Sequence, residues 1–213
     1  MHDSVGNLIE IQKEIQSKIN DSIKIPNIIA VSKTHQMTNI LPLINFGHLH
    51  FGENKVQEAI IKWQNIKSDF EHLKLHMLGG LQTNKVKYAV SIFDYIHSLD
   101  NLKLAEKISN EQIKQNRKVK IFIQINLGEE NQKSGVSISN AVDFYNKCTD
   151  NFDLDIIGFM CLPPNDKDPS KYFSQMNDVV LKSGLKELSM GMSNDFIEAI
   201  KFRSTFLRIG SRI

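Results

Sequence analysis

Residues 27–35 read Asn27-Ile28-Ile29-Ala30-Val31-Ser32-Lys33-Thr34-His35, or NIIAVSKTH. Ile28 to Val31 form a short apolar, largely β-branched run of the kind that makes a strand buried on both faces. The run leads into Lys33, so the strand delivers a lysine to the rim of a sheet. An ammonium there either reaches water along its apolar stem or is desolvated enough to act as a neutral amine toward an aldehyde. Taken alone, the stretch favours the first role, and the pattern around it decides between them.

Runs of the same kind recur along the chain. Strands are predicted over 27–33, 48–53, 74–79, 95–99, 120–127, 154–162, 186–190 and 205–209, eight in all. Between them, helical spacing occupies 38–46, 54–66, 84–91, 101–115, 139–150, 170–182 and 194–202. This is the alternation of parallel βα units, and eight such units predict an α/β fold, a single (β/α)8 TIM-type barrel. Ahead of them, Leu8, Ile9, Ile15 and Ile19 mark one face of an additional N-terminal helix over 4–19. Residues 1–213 are expected to form one domain, since the fold typically takes ~250 residues and leaves no room for a second. An open doubly wound sheet is the main alternative. No G-x-G-x-x-G or Walker-type glycine loop follows any strand, which removes the usual nucleotide signature of such a sheet.

Composition bounds the function. With 41% hydrophobic and 23% charged residues in 213, the chain can bury a sizeable core. Its 26 basic and 24 acidic residues are interspersed and net to +2, which gives no support to nucleic acid or a membrane surface as partner. Cys148 and Cys161 form no ligand pattern and are expected to be reduced structural thiols. The opening MHDSVGNLIEIQKEI has no basic region followed by an apolar one, and no run approaches the length of a membrane span, so a cytoplasmic location is expected.

In a barrel, chemistry gathers at the C-terminal ends of the strands. Those ends carry Lys33, Asn54, the Gly79-Gly80 turn, Ser98 with Asp100, Asn126, the turn at 162–164, and the segments 189–193 and 208–211. Small and hydroxyl residues in Ser189-Met190-Gly191-Met192-Ser193 and Ile209-Gly210-Ser211 follow strands seven and eight, where barrels often bind phosphate through backbone N–H groups. The competing reading is that Ser193 or Asn194 caps the next helix and Gly210 makes an ordinary turn. A lysine and a phosphate cradle on one rim imply a ligand with both an aldehyde and a phosphate, which is pyridoxal 5′-phosphate. Arg208 then faces the pyridine nitrogen, and its permanent charge keeps that nitrogen unprotonated and disfavours deep carbanion chemistry. Otherwise it is a structural ion pair at a strand end. Asn54 suits the ring hydroxyl, and with Gln57 it also reads as a capping box.

These residues resemble the pyridoxal phosphate homeostasis proteins, a family whose single barrel is similar to the N-terminal domain of alanine racemase. The resemblance is carried by AVSKTH at 30–35, FGENKVQE at 51–58, HMLGGLQTNK at 76–85 and IHSLD at 96–100. It continues through QINLGEENQKSGV at 124–136, GFMCLPP at 158–164, LSMGMSNDFIEAI at 188–200 and RIGSRI at 208–213. It implies that Lys33 forms the internal aldimine, that Arg208 faces the pyridine nitrogen, and that Asn54 lies beside the ring. It also implies that Ser189, Met190, Gly191, Gly210 and Ser211 hold the phosphate. Leu75 stands where members often have an aromatic residue, and the chain stops at Ile213 where they continue into a short Phe-Gly segment.

Three functions follow. The first is a protein of pyridoxal phosphate homeostasis that holds the cofactor and supplies it to apo-enzymes, acting as a monomer with no catalytic residues of its own. The second is an amino-acid racemase-like enzyme, which needs a base on each face of its substrate. The third is a Schiff-base aldolase using Lys33 without the cofactor. Elsewhere, His48, His50, His72 and His76 lack partner ligands and read as strand and rim histidines rather than zinc. Asp150, Asp153 and Asp155 read as a solvated turn, and Lys133 follows strand five in a loop that contacts a ligand or simply moves.

Overall fold

The computed structural model describes residues 2–19, 24–128, 134–164 and 168–213, so Lys133 lies outside the described residues. Helix α1 (Asp3–Gln16) buries Val5, Leu8, Ile11 and Ile15 along one face, and ends three residues before the sequence pattern suggested. There follow β1 (Asn27–Val31), α2 (Met37–Asn45), β2 (His50–Glu53), α3 (Val56–Asp69), β3 (Lys74–Met77) and α4 (Val86–Ile92). The next elements are β4 (Tyr95–Leu99), α5 (Leu102–Gln115), β5 (Lys120–Asn126), β6 (Val136–Ser137) and α6 (Ala141–Asn151). The chain then continues through β7 (Asp155–Cys161), α7 (Ser170–Ser183), β8 (Glu187–Met192), α8 (Phe196–Lys201) and β9 (Phe206–Ile209).

All recorded pairings are parallel, and eight of the strands close in the order β1-β2-β3-β4-β5-β7-β8-β9 and back to β1. The alternation of apolar runs with helical spacing therefore yields the (β/α)8 barrel, not an open sheet. The closing seam sets Asn27 beside Phe206 and Ala30 beside Ile209. Two-residue β6 adds to the edge of β5 outside this ring, too short to leave a periodic signal in the sequence. Close strand approach depends on glycine at one point in particular: a Cβ on Gly158 of β7 would lie 1.9 Å from the Glu187 carbonyl oxygen of β8.

Outward-facing residues of the strands pack with the helices into the main core, which includes Phe51, Trp63, Phe93 and Phe159. The barrel interior is a second cluster of Ile29, Tyr95, Phe122, Met160 and Phe206. A polar row runs through it. His97 Nδ1 lies 2.9 Å from Ser189 Oγ, His97 Nε2 lies 2.9 Å from His76 Nδ1, and His76 Nε2 lies 2.9 Å from His50 Nδ1. Tyr95 stacks on His76 with ring centres 4.2 Å apart, and Phe122 on His97 at 4.3 Å. Burial holds His76 and His97 well below the usual imidazole range and brings His48 and His50 down to about 4.

Two predictions follow from this core. Gly158→Ala forces β7 and β8 apart and should lower stability to urea by about 1–3 kcal/mol, the usual cost of overpacking. The four histidines are neutral when folded but take protons in the unfolded chain below about pH 6.5. Stability is therefore full above pH 6.5 and is lost as the pH falls toward 4, by up to roughly 1.4 kcal/mol per pH unit for each histidine. Urea unfolding at pH 7.5 and pH 5 measures this, and equal midpoints would contradict it.

Candidate functional site

The C-terminal ends of the barrel strands surround a cleft of about 1300 Å³. Lys33 enters it from the end of β1, exposed to solvent, and Arg208 enters from β9. Asn54, Gly210 and Ser211 also line it. Five of the eight expected site residues thus come together from strands that are far apart in sequence.

Lys33 is held from behind. Its neighbour Ser32 donates its N–H to Gly52 O at 2.9 Å and its hydroxyl to Glu53 Oε1 at 2.8 Å, while its carbonyl accepts from Lys62 Nζ at 2.7 Å. Glu53 is fully buried, pairs with Lys62 at 2.8 Å and accepts from the Trp63 indole at 3.0 Å. The strand end is therefore fastened by an ion pair between β2 and α3. Thr34 then takes φ +64°, an uncommon conformation for a β-branched residue, as the chain turns sharply away beyond the lysine.

Asn54 lies just past β2, and α3 begins at Val56 with Lys55 in the capping position and no side-chain cap. The capping box expected of Asn54 and Gln57 does not form, because the helix starts one residue later than that motif requires. The turn after β3 crosses Asn54 closely enough that a Cβ on Gly79 would be 2.2 Å from its carbonyl oxygen.

Arg208 is 5% exposed. Its Nη1 donates to Ser189 O at 2.6 Å and Ser189 Oγ at 2.8 Å, and its Nη2 to Cys161 O at 2.7 Å. Among the described residues it forms no ion pair, so the structural ion pair considered from the sequence is not what holds it. Burial lowers Arg208 from the usual guanidinium value and pushes the Cys161 thiol up to about 12, leaving that sulfur an inert neighbour.

Ser189, Met190 and Gly191 are placed elsewhere than the phosphate cradle expected of them. Ser189 and Met190 are fully buried within β8, and Ser189 spends its hydroxyl on Arg208 and His97. Gly191 adopts φ +91° where β8 packs on α8, and a Cβ there would lie 2.7 Å from Ala199 Cβ. The strand runs two residues beyond its expected end, so Met192, Ser193 and Asn194 form the cleft wall instead. Ser193 Oγ accepts from Gly210 N–H at 3.3 Å, which joins the turns after β8 and β9. Neither Ser193 nor Asn194 caps the next helix, since α8 begins at Phe196 with Asp195 in the capping position. On the far wall, Arg212 pairs with Glu14 at 2.8 Å and lies over the Phe196 ring.

Comparison with known proteins gives this arrangement its context. Residues 8–213 match the family model for the alanine racemase N-terminal domain. The chain is 32% identical to the pyridoxal phosphate homeostasis protein of Pasteurella multocida over 97% of its own length and 94% of that protein. The protein of the same name from Aquifex aeolicus is 35% identical, covering 86% of this chain and 84% of its own. Among solved structures, PipY of Synechococcus elongatus with pyridoxal phosphate bound has a TM-score of 0.84 at 30% identity, with 98% of each chain covered. With barrel topology, rim lysine and matched length all in agreement, this chain belongs to the pyridoxal phosphate homeostasis protein family, on the fold of the alanine racemase N-terminal domain.

Proposed function

We propose that the protein binds pyridoxal 5′-phosphate in the rim cleft and serves to hold and supply it, with residues 1–213 acting as one domain. One observation carries this reading: an accessible lysine and a buried guanidinium that forms no ion pair among the described residues open onto the same cleft, beside two turns of small residues. When bound, pyridoxal phosphate supplies an electrophilic aldehyde, a phosphate dianion and a basic pyridine nitrogen. Lys33 offers the amine that meets the aldehyde, and the buried net behind Ser32 limits where that amine can go. Arg208 would face the pyridine nitrogen with an N–H that cannot be given up, which would keep that nitrogen unprotonated. Ser193, Asn194 and Ser211 would receive the phosphate through backbone N–H groups and the Ser193 hydroxyl, while Gly210, whose N–H is given to Ser193 Oγ, ties the two turns together. Asn54 borders the ring.

The cleft walls also favour holding over turnover. Its described lining includes no tyrosine or histidine to stand as a second base opposite Lys33, as racemisation requires. Its carboxylates, Glu14, Asp168, Asp195 and Glu198, are engaged with Arg212, Ser170, the Met192 N–H and Lys201. Apo-enzymes that need the cofactor are the proposed recipients. Incubation with D- or L-alanine should show no conversion at rates typical of enzymes, about 1 s⁻¹ or faster, and such conversion would move the assignment to a racemase.

Absorption spectroscopy tests the reading. Titrating the protein with pyridoxal phosphate should produce a visible band that Lys33→Ala abolishes, and an identical band in that variant would exclude Lys33 as the anchor. Ser211→Asp should weaken binding at least about tenfold by setting a carboxylate against the phosphate, and unchanged affinity would remove the cradle from those turns.

A further inference from the structure

The interior row of histidines takes no part in the cleft, yet it ends on the residue that does. At one end Ser189 touches Arg208, and at the other half-buried His50 lines a separate pocket of about 450 Å³ at the opposite mouth of the barrel. The direction of every hydrogen bond along it follows from Arg208. A guanidinium only donates, so Ser189 Oγ accepts from Arg208 and its own hydrogen needs another acceptor. His97 Nδ1, 2.9 Å away, is that acceptor.

His97 is thereby protonated on Nε2 and donates to His76 Nδ1. The same step repeats, since His76 Nε2 donates to His50 Nδ1, and the last hydrogen is left on His50 Nε2 at the far mouth. In this direction every polar side-chain atom from Ser189 Oγ to His50 Nδ1 has a partner, and only His50 Nε2–H is left, at the mouth. In the reverse direction His97 and Arg208 both donate to Ser189 Oγ, and the serine hydrogen is stranded in a fully buried site, which buried polar groups avoid. Burial keeps the row neutral, and the charges that face it add to this: Lys74 and Lys120 oppose Asp94 at His50, the neighbouring imidazoles and Lys67 act on His76, and Arg208 acts on His97.

We propose that His97, backed by His76 and His50, is the positioning residue for Arg208: it accepts the Ser189 hydroxyl and so turns the serine lone pairs to the guanidinium, seating a cation toward the cofactor without a carboxylate. This rests on the reading above that Arg208 faces the pyridine nitrogen. A carboxylate seat would partly neutralise the guanidinium, whereas a serine backed by neutral imidazoles leaves its charge whole. The donor left without a partner inside the row is then the Nε2–H of His50 at the opposite mouth, and the serine hydrogen beside Arg208 stays on Ser189 Oγ, bonded to His97 Nδ1.

The test begins with nitrogen-15 NMR of the histidine rings in the cofactor-free protein at pH 7. The expected result is the Nε2–H tautomer at His50, His76 and His97. An Nδ1–H signal at His97, or an imidazolium at any of the three, overturns the proposal. Because these signals are read without pyridoxal phosphate, they hold or fail independently of whether the cleft takes it. In the loaded protein, His97→Phe should weaken pyridoxal phosphate binding about tenfold and displace the visible band. His97→Asn, which returns an acceptor to the place of Nδ1, should restore both. Equal loss in the two variants, or loss in neither, overturns the proposal.

Discussion

Parallel pairing of β1 with β9 is the constraint on which the site depends. The register Asn27 to Phe206 through Ala30 to Ile209 closes the ring and brings the ends of the first and last strands to one rim. Without it, Lys33 and the Arg208–Ser211 segment would stand at opposite edges of an open sheet with no common cleft. Closure needs both strands to be apolar on both faces, as Ile28, Ile29, Ala30, Phe206, Leu207 and Ile209 are, since each is buried between the barrel interior and the outer helices.

Two buried polar systems then fix the groups that the rim presents. Outside the barrel, Glu53, Lys62 and Trp63 clamp Ser32, so that Lys33 leaves a rigid point. Inside it, Ser189 and the Cys161 carbonyl hold Arg208, with the histidine row behind. Ion pairs and histidines inside a core rarely gain stability over well-packed apolar groups. Both systems here lie directly behind a side chain proposed to hold the cofactor, which is where a loss of stability in exchange for fixed geometry is of use.

The barrel was legible because buried parallel strands leave continuous apolar runs, and each of the eight predicted strands overlaps an observed one. Lys33, Arg208, Asn54, Gly210 and Ser211 were legible for the same reason: once the strands are placed, their ends are known. Ser189, Met190 and Gly191 lie within β8 and not on the cleft because the strand runs two residues beyond its expected end. Small residues from Ser189 to Ser193 carry no apolar-to-polar change that marks the end of β8. Glu53 and Lys62 gave no sign of meeting, because their contact depends on the rotation of α3 against β2. The histidine row was beyond sequence altogether, since it requires the lateral register of β2, β3 and β4 and the passage from β4 across the barrel to β8.

The most direct test of the central claim is chemical. The protein is loaded with pyridoxal phosphate, reduced with borohydride, digested and read by mass spectrometry. One pyridoxyl phosphate group on the peptide containing Lys33, and on no other lysine, is the predicted result. Labelling spread over surface lysines such as Lys24 and Lys118, with the Lys33 peptide unmodified, would contradict it and leave the rim cleft without its proposed ligand.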